Sequence, residues 1–493
     1  MASSSRLFVS LLLGFMSFTI SSTSQDSDQL RSLRREAIRE ARAALRSAKN
    51  WTASVGPNAD GLRESRGLAW ADCARLYADS EQRIGRLATG EYDTSDAATW
   101  LSGAMTAHST CMDGLGAYDH STLSLISPAE KLGAVLQRAL ALHVSPTSKE
   151  KHAVDSAGLL ASWNISMRSS SADIVVAQDG TGNYGTINEA VAATRGKQQR
   201  QIGYNSQLRR VVIYVKSGIY KECVEIDASM RNVMVVGDGI DKTIVTGNRN
   251  VPDGYTTFSS ATFGVSGDGF WARDITFENT AGPEKEQAVA LRVAADHAAF
   301  YRCGFRGYQD TLFAHSLRQF YRECRISGTV DFIFGNAAAV LQNCDIYVRK
   351  PMLHQANMIT AQGRDDPNQN TGFSIHASRV RPAPDFEGVK GSFKNYLGRP
   401  WKKYSRVVFM KTELDGLVNP EGWAKWEGDF ALDSLYYGEY MNSGDGAFTG
   451  GRVKWVGFHV LKDPSDAAPF TVERFIEGRS WIPETGVPYW LGV

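Results

Sequence analysis

A repeat of about 21 residues in the second half of the chain constrains the fold most strongly. The segments GYQDTLF (307–313) and GTVDFIF (328–334) share a glycine, an aspartate and a final phenylalanine, each displaced by 21 positions. Cys303, Cys324 and Cys344 follow the same spacing, 21 and then 20 positions. Short strands of this kind fit a sandwich, a barrel or a solenoid. The period, repeated without helices between, selects an all-β parallel β-helix.

The N-terminal part of the chain has a different composition. From about 28 to 143 it is rich in Ala, Leu, Arg and Glu, and apolar residues recur at spacings of three and four. Four such segments predict an all-α four-helix bundle. Asp96 and Ser127 are the predicted helix starts in the third and fourth segments. Cys73 and Cys111 lie within two of these helices and could form a disulfide.

The first 24 residues have the pattern of a secretory signal peptide. Arg6 precedes an apolar run from Leu7 to Ile20, and small polar residues follow. The run is short for a membrane span, so secretion is favoured over a single-pass anchor. Asn50 and Asn164 begin acceptor triplets for N-glycans, which fits secretion. The predicted boundaries are a signal peptide over 1–24, a helical prodomain over 25–150, a linker over 151–171 and the β-helix over 172–493.

The charge balance argues against several classes of partner. The 54 Lys and Arg residues nearly equal the 53 Asp and Glu residues, giving a net charge of +1. There is no broad basic field to favour nucleic acid or an anionic membrane. Neither a CxxC pair nor an HExxH motif occurs in the sequence, so we predict no metal and no cofactor.

The aspartates of the repeat are candidates for catalysis. In a solenoid of this period Asp310 and Asp331 would lie on adjacent coils, about 5 Å apart. Two carboxylates this close cannot both ionise easily, so one pKa should rise and the other stay low. That pair supplies a proton donor and an anionic nucleophile or base. Solenoids also place Asp in turns only to satisfy backbone groups, but Gln309 favours catalysis because its amide could hold an oxyanion.

From Asp173 to the C-terminus the sequence resembles the plant-type pectinesterases (pectin methylesterases). The matching stretches include NTAGPEKEQAVALRV, YRCGFRGYQDTLFAH, FYRECRISGTVDFIFGNAAAVLQNC and YLGRPWKKYSRVVFM. The family fold is a right-handed parallel β-helix, which agrees with the repeat. The resemblance implies a monomeric, secreted, cell-wall enzyme that hydrolyses methyl-esterified homogalacturonan.

The resemblance also implies a role for each matching residue. Asp331 matches the nucleophile that attacks the ester carbonyl. Asp310 matches the acid that protonates the departing methanol and then deprotonates water. Gln287 and Gln309 match the amides that stabilise the oxyanion, and Arg399 matches the guanidinium that orients the nucleophile.

Further residues are predicted to contact the sugar chain. Trp401 matches an aromatic residue that lines the binding groove, and Gln287 would contact the substrate as well. Tyr308 and Phe334 flank the aspartates and could stack on sugar rings or belong to the core. On the same coils, Cys303 and Cys324 could form a disulfide, since stacked Cα atoms fall within disulfide range.

The helical region resembles the pectinesterase/invertase inhibitor domain through LAWADCARLYADSEQRI and WLSGAMTAHSTCMDG. We therefore predict that it covers the catalytic groove or assists secretion until it is removed. A proteinaceous pectinesterase inhibitor is a second predicted partner. An alternative is that the whole chain is a regulator with a silent catalytic half, which the intact set of site residues argues against.

Two enzyme alternatives share the predicted fold. An inverting glycoside hydrolase also uses paired carboxylates, held roughly 6.5–9.5 Å apart. A polysaccharide lyase would need calcium-binding acid clusters, and Asp365 with Asp366 is the only adjacent acidic pair nearby. The product distinguishes them, since an esterase releases methanol, a hydrolase reducing ends and a lyase unsaturated ends.

A glycine motif near the start of the β-helix is a weak signal for a dinucleotide site. Gly180, Gly182 and Gly185 spell G-x-G-x-x-G between a strand-like and a helix-like run. The acidic residue expected about twenty positions on is missing. We interpret the motif as the opening turn of the solenoid.

Overall fold

A computed structural model describes residues 5–55, 64–89, 93–116, 127–144, 172–201 and 209–493. Over these ranges an all-α region precedes a parallel β-helix, which confirms the predicted fold class. The predicted linker (151–171) and the glycan acceptor Asn164 lie outside the described residues. Asn50, the other predicted acceptor, is exposed near the end of the first helix. Among the described helices, none is both long and apolar enough to cross a membrane.

Four long helices make up the N-terminal region. They are Ser5–Val55 (α1), Glu64–Ala88 (α2), Thr94–Gly116 (α3) and Ser127–His143 (α4). Leu45, Leu101 and Leu136 are fully buried where the helices meet. The Cys73–Cys111 disulfide predicted from the sequence is present and joins α2 to α3.

The helix starts follow the sequence signals closely. The Asp93 carboxylate accepts a hydrogen bond from the Ser95 N–H at 3.0 Å, satisfying one of the free donors at the start of α3. Asp96, the predicted start, lies in the first turn, where the helix dipole stabilises a negative charge. The predicted start of α4 at Ser127 is confirmed.

Twenty-six strands follow within the described residues. In chain order they are Ile174–Val176 (β1), Val211–Val215 (β2), Gly218–Lys221 (β3), Val224–Ile226 (β4), Val233–Val236 (β5), Thr243–Gly247 (β6), Phe263–Val265 (β7), Trp271–Arg273 (β8), Thr276–Asn279 (β9), Leu291–Val293 (β10), Ala298–Tyr301 (β11), Gly304–Arg306 (β12), Leu312–Ala314 (β13), Arg318–Arg322 (β14), Arg325–Gly328 (β15), Ile333–Gly335 (β16), Ala338–Gln342 (β17), Asp345–Val348 (β18), Asn357–Gln362 (β19), Gly372–His376 (β20), Arg379–Pro382 (β21), Asn395–Pro400 (β22), Arg406–Met410 (β23), Glu413–Leu414 (β24), Tyr436–Tyr440 (β25) and Phe458–Val460 (β26).

These strands form three sheets in which every pairing is parallel. The eleven-stranded sheet has the order β1-β2-β5-β8-β11-β14-β17-β20-β23-β25-β26. The seven-stranded sheet runs β22-β19-β16-β13-β10-β7-β4, and the eight-stranded sheet runs β24-β21-β18-β15-β12-β9-β6-β3. One coil therefore supplies one strand to each sheet in turn, as β11, β12 and β13 do. Register pairs Leu312 with Ile333, 21 residues on, which is the period found in the sequence.

The interior of the β-helix is a continuous apolar core. Aromatic side chains stack from coil to coil, with ring centroids 6.1 Å apart for Phe277 and Phe305 and 5.0 Å for Phe300 and Tyr321. All four rings are almost completely buried. Burial of this apolar surface is the main favourable contribution to folding.

The predicted Cys303–Cys324 disulfide is wrong, because the structure has both cysteines as free, buried thiols. Gly304 and Arg325, which directly follow the two cysteines, pair in register, so the cysteines do lie on neighbouring coils. Side chains at matched positions of parallel strands point the same way about 4.8 Å apart. Bridged Cβ atoms lie only about 3.5–4.5 Å apart. Each thiol instead donates to a backbone carbonyl oxygen, at 3.5 and 3.4 Å.

Short helices close and flank the β-helix. The helix Ile187–Gln201 (α5) follows the G-x-G-x-x-G motif and contacts β1, β2 and β4 at the first coils, so the motif opens the solenoid as interpreted. A Cβ on Gly182 would lie 2.7 Å from the Val175 carbonyl oxygen, so this position requires glycine. The helices Pro464–Ala467 (α6), Val472–Phe475 (α7) and Gly478–Thr485 (α8) follow the last strand.

The helical bundle packs on the outer face of the seven-stranded sheet. Its buried side chains form one cluster with Phe258, Val289, Phe313, Phe334 and Ala361 of the β-helix. Ion pairs surround this apolar contact. They join Arg75 to Glu225, Arg83 and Arg86 to Asp268, Asp96 to Arg318, and Asp113 to Lys402. The strands beneath are consequently buried on both faces, as the pattern of β19 shows.

Candidate active site

The two aspartates of the repeat lie at matching turns of neighbouring coils. Asp310 and Asp331 both have left-handed backbones, with φ of 64° and 53°, a conformation that Asp tolerates better than most residues. The Asp310 N–H donates to the Val330 carbonyl of the next coil at 3.1 Å. Three positions later the rings of Phe313 and Phe334 stack with centroids 4.2 Å apart. The turn therefore directs both carboxyls into the same cavity.

Arg399, near the end of β22, binds one of the two carboxyls through two hydrogen bonds. Its Nε donates to Asp331 Oδ1 at 2.8 Å and its Nη2 donates to Asp331 Oδ2 at 2.6 Å. This fork geometry is the strong form of the arginine–carboxylate pair. The guanidinium also lies 4.3 Å from the ring centroid of Trp426, which fixes its other side.

The pair has an unequal electrostatic environment. Burial raises the pKa of Asp310 well above its usual value, the charge of Asp331 raises it further, and Arg399 opposes both. Burial also raises the pKa of Asp331, but the hydrogen bonds and charge of Arg399 offset part of that rise. Since the guanidinium is bound to Asp331, the shared proton belongs on Asp310 and the negative charge on Asp331.

Two glutamine side chains line the same cavity. Gln309 directly precedes Asp310, and Gln287 lies at the corner before β10. The side-chain Oε1 of Gln287 is buried without a hydrogen-bond partner among the described residues. An amide not held by the protein is available to bind a ligand.

Aromatic residues form one wall of the cavity. Phe334 and Trp401 both line it, with ring centroids 6.0 Å apart. Gly363 makes room for the indole, because a Cβ there would lie 2.7 Å from the Trp401 ring. These flat apolar surfaces suit the faces of sugar rings.

Tyr308 is the one predicted site residue that the structure places elsewhere. It lies at the corner between β12 and β13, outside the cavity, where its hydroxyl accepts a hydrogen bond from Arg349 at 2.8 Å. The Arg349 guanidinium also lies 3.9 Å from the ring centroid. The ring of Tyr308 therefore packs against Arg349, on the side of the eight-stranded sheet, and does not face the aspartates.

The helical bundle closes the cavity from above. Ala69, Asp72, Thr110 and Asp113 line a space of about 390 Å³ together with the residues of the β-helix. The Asp72 carboxylate accepts a hydrogen bond from Thr256. Burial raises its pKa, and Arg75 opposes that shift.

Sequence reasoning missed several residues of this cavity. Trp426 reaches it from the loop between β24 and β25, and Phe258 from the long connection before β7. Asp72 and Asp113 reach it only because the bundle docks there. The aromatic-rich stretch GWAKW, which contains Trp426, was the one local signal for any of them.

Fold and cavity together define the class: a parallel β-helix that carries a paired-carboxylate site, covered by a helical bundle. A model of the pectinesterase family matches residues 173–479. A model of the plant invertase/pectin methylesterase inhibitor family matches residues 15–142, so it begins within the segment predicted as signal peptide.

Known proteins resemble the chain over most of its length. A protein of Arabidopsis thaliana named "Probable pectinesterase/pectinesterase inhibitor 36" is 54% identical over 463 residues, covering 86% of this chain and 87% of that protein. The structure of pectin methylesterase from carrot is 53% identical with a TM-score of 0.63, covering 65% of this chain and 98% of the carrot chain. A mutant pectin methylesterase in complex with a hexasaccharide is 25% identical with a TM-score of 0.50, covering 62% and 97%.

The chain belongs to the pectinesterase family and carries an inhibitor-family domain at its N-terminal end. It is accordingly a carboxylic ester hydrolase. The carrot chain is covered over nearly its whole length by 65% of this chain, so that structure holds the β-helix without a helical bundle.

Proposed function

We propose that this chain hydrolyses the methyl esters of homogalacturonan to methanol and pectate, with Asp331 as nucleophile and Asp310 as general acid and base. The observation that carries the proposal is the placement of Arg399. It holds Asp331 in a bidentate ion pair, while Asp310, in the same cavity, has no such partner among the described residues and a strongly raised pKa. One carboxyl is thereby prepared to attack and the other to give a proton.

In the first half of the reaction, a carboxylate oxygen of Asp331 attacks the ester carbonyl. The tetrahedral oxyanion accepts hydrogen bonds from the amides of Gln287 and Gln309. The proton of Asp310 moves to the methoxy oxygen as the carbon–oxygen bond breaks, and methanol leaves. The products are an anhydride between Asp331 and the galacturonyl group and an ionised Asp310.

In the second half, water takes the place of methanol. The Asp310 carboxylate accepts a proton from this water, which attacks the galacturonyl carbonyl. The bond to Asp331 breaks, the aspartate returns as a carboxylate, and the sugar carries a new carboxylic acid that ionises in water. Asp310 is again protonated, so the enzyme is ready for another turnover.

The walls of the cavity support a polymeric sugar substrate. Trp401, Phe334 and Trp426 present aromatic surface beside the carboxyl pair. A relative with the same fold binds a hexasaccharide. A chain of sugar units could therefore cross the seven-stranded sheet with one ester group above Asp331.

The product tests the proposal. The region beginning at Asp173 would be incubated with methylated pectin, and methanol, reducing ends and unsaturated ends would be measured separately. We expect methanol alone. New reducing ends or unsaturated ends without methanol would contradict the proposal in favour of a hydrolase or a lyase. If no product forms and the helical bundle inhibits another pectinesterase, the regulator alternative holds.

We further propose that the enzyme acts outside the cell, in the cell wall. The signal-peptide pattern over 1–24 and the exposed acceptor Asn50 support this location. N-terminal sequencing of protein secreted by plant cells would test the boundary, with a start near residue 25 expected if the prodomain is retained. A secreted form that retains Met1 would contradict it.

A further inference from the structure

Helix α3 faces the β-helix with a row of oxygen atoms. The residues involved recur every three or four positions, so they share one face of the helix over about 21 Å. They are Thr99, Ser102, Thr106, Thr110 and Asp113. Four present a hydroxyl or carbonyl oxygen to the β-helix, and the fifth presents a carboxylate.

Side chains of the β-helix donate hydrogen bonds to this row of oxygen atoms. Asn370 Nδ2 donates to Thr99 at 2.8 Å, Gln369 Nε2 to the Ser102 carbonyl at 3.2 Å, and Asn336 Nδ2 to Thr106 at 2.8 Å. At the end of the row Lys402 Nζ donates to the Asp113 carboxylate at 3.0 Å. We call these four side chains, Asn336, Gln369, Asn370 and Lys402, the amide–lysine strip.

The strip continues directly from the catalytic cavity. A second cavity of about 300 Å³ adjoins the first, and Asn336, Gln369 and Lys402 line it. Trp401 and Asp113 line both cavities, so they mark the place where the two meet. A linear ligand that leaves the aspartates on this side would pass along the strip.

The donors of the strip lose their α3 partners when the bundle is absent, although Asn336 Nδ2 keeps a second acceptor in Gln369 Oε1 at 3.2 Å. Asn336 and Gln369 are nearly fully buried under the bundle, and Asn370 Oδ1 is already buried without a partner among the described residues. Buried polar groups need hydrogen-bond partners. When the bundle is absent, ligand oxygens or water must replace those of α3.

We propose that the amide–lysine strip binds galacturonate units next to the reacting one, with Lys402 taking a free carboxylate, and that α3 occupies it as a substitute for the sugar chain. A uronate unit offers hydroxyl oxygens and one carboxylate, the same groups that α3 presents. This inference rests on the proposed function and names Lys402 as the residue of the β-helix that would select a charged neighbouring unit.

The charge around Lys402 fits this role. Asp113 is removed with the bundle, and Asp365 is the carboxyl of the β-helix that remains near the ammonium. With the bundle in place, burial raises the pKa of Asp365 and the charge of Lys402 opposes that shift, so the two side chains lie close enough to interact. A methyl ester lacks the charge that makes a hydrogen bond to lysine strong, so Lys402 would favour a free carboxylate.

Binding of unesterified hexagalacturonate to the region beginning at Asp173 tests the inference. This probe has no ester and is not turned over, so calorimetry measures its binding without hydrolysis, and the variants isolate the contribution of the strip. We expect Lys402→Gln to weaken binding about tenfold, the effect of losing one hydrogen bond to a charged group. Asn370→Ala should weaken it by a smaller factor, about threefold.

The adjacent lysine supplies the matched control. Lys403 lies over the Tyr404 ring, so Lys403→Gln removes the same charge one residue away and should leave binding within about twofold of wild type. Equal weakening by both lysine variants, unchanged binding by Lys402→Gln, or no binding by the wild-type region would overturn the inference. Circular dichroism would check that each variant is folded.

Two further measurements separate this inference from the proposed function. The full chain should bind the probe more weakly than the region does, because α3 fills the strip, and equal affinity would overturn the inference. Methanol release from methylated pectin is assayed in parallel. If the region binds hexagalacturonate through Lys402 but releases no methanol, the proposed function is refuted. The inference that the strip binds galacturonate units is then still supported.

Discussion

A single guanidinium gives two similar aspartates different electrostatic surroundings, and the proposed roles follow from that difference. Asp310 and Asp331 share the same turn, the same backbone conformation and the same burial. What differs is the bidentate contact of Arg399, which stabilises charge on one carboxyl only. The strong desolvation of the cavity then keeps the proton on the other. Chemistry at this site depends on that asymmetry more than on the aspartates alone.

Replacing Arg399 with Gln should change how activity depends on pH. The arginine lowers the pKa of Asp331, so its loss raises that pKa, and the fraction of ionised nucleophile then falls at a higher pH. The acid limb of kcat/KM should therefore move to higher pH, and kcat should fall by at least about tenfold because the nucleophile loses a charged hydrogen bond.

A pH profile of methanol release checks this prediction. Arg349→Gln is the control, since Arg349 contacts Tyr308 outside the cavity and its loss should leave the profile in place. An Arg399→Gln profile that is lower but not shifted would contradict the assigned role.

At the scale of the coil, the sequence repeat predicts where the two aspartates lie but not which other residues surround them. The 21-residue period specifies that Asp310 and Asp331 occupy equivalent turns, because parallel register makes equal spacing in sequence equal position in space. The period does not determine which way a ring at a corner points, so it left the position of the Tyr308 ring open, and the structure places that ring against Arg349. Trp426 and Asp113 come from a distant loop and a docked helix, which no local pattern reveals.

The same stacking explains why the cysteines stay reduced. Matched positions of parallel strands hold Cβ atoms too far apart for a bridge. All six cysteines fall in the part of the chain that the structure describes, with one disulfide and four thiols. Alkylation of the denatured, unreduced chain should therefore label four cysteines by mass spectrometry, and six after reduction. If only two cysteines were labelled before reduction, a second disulfide would be present, and the predicted Cys303–Cys324 bridge would be supported.

The aromatic stack inside the coils should contribute strongly to stability. Phe305 is fully buried and contacts Phe277, Phe300 and Tyr321. Phe305→Ala should lower the free energy of unfolding by about 3–5 kcal/mol, through lost burial and the cavity left behind.

Denaturant unfolding of the β-helix region measures this loss. Ile219→Ala is the matched control, because Ile219 is 56% exposed and its truncation should cost no more than about 0.5 kcal/mol. Equal effects of the two substitutions would contradict the core described here.

At the scale of the whole molecule, the bundle occupies the surface of the β-helix that the proposed substrate would bind. The bundle buries the seven-stranded sheet, closes the cavity above the aspartates and fills the amide–lysine strip. Under the proposed function, the helices must therefore move before a polymer reaches Asp331. The helical cover was predicted from the resemblance to an inhibitor, but its individual contacts could not be, because they depend on two surfaces folding separately and then docking.

Removal of the bundle should therefore raise activity. We expect the chain that begins at Asp173 to release methanol from methylated pectin at least about tenfold faster than the full chain, since docking must be reversed before substrate binds. Rates would be compared at equal concentrations of folded protein. Equal rates for the two forms would contradict a covering role for the helices.

The central claim is that Asp310 and Asp331 act as one catalytic unit, and methanol release by variants of the β-helix region tests it most directly. Asp331→Ala and Asp310→Asn should each lose activity by at least about a thousandfold, and the double variant should be no slower than the slower single variant, because residues of one unit are not additive. Full methanol release by either single variant would contradict the account.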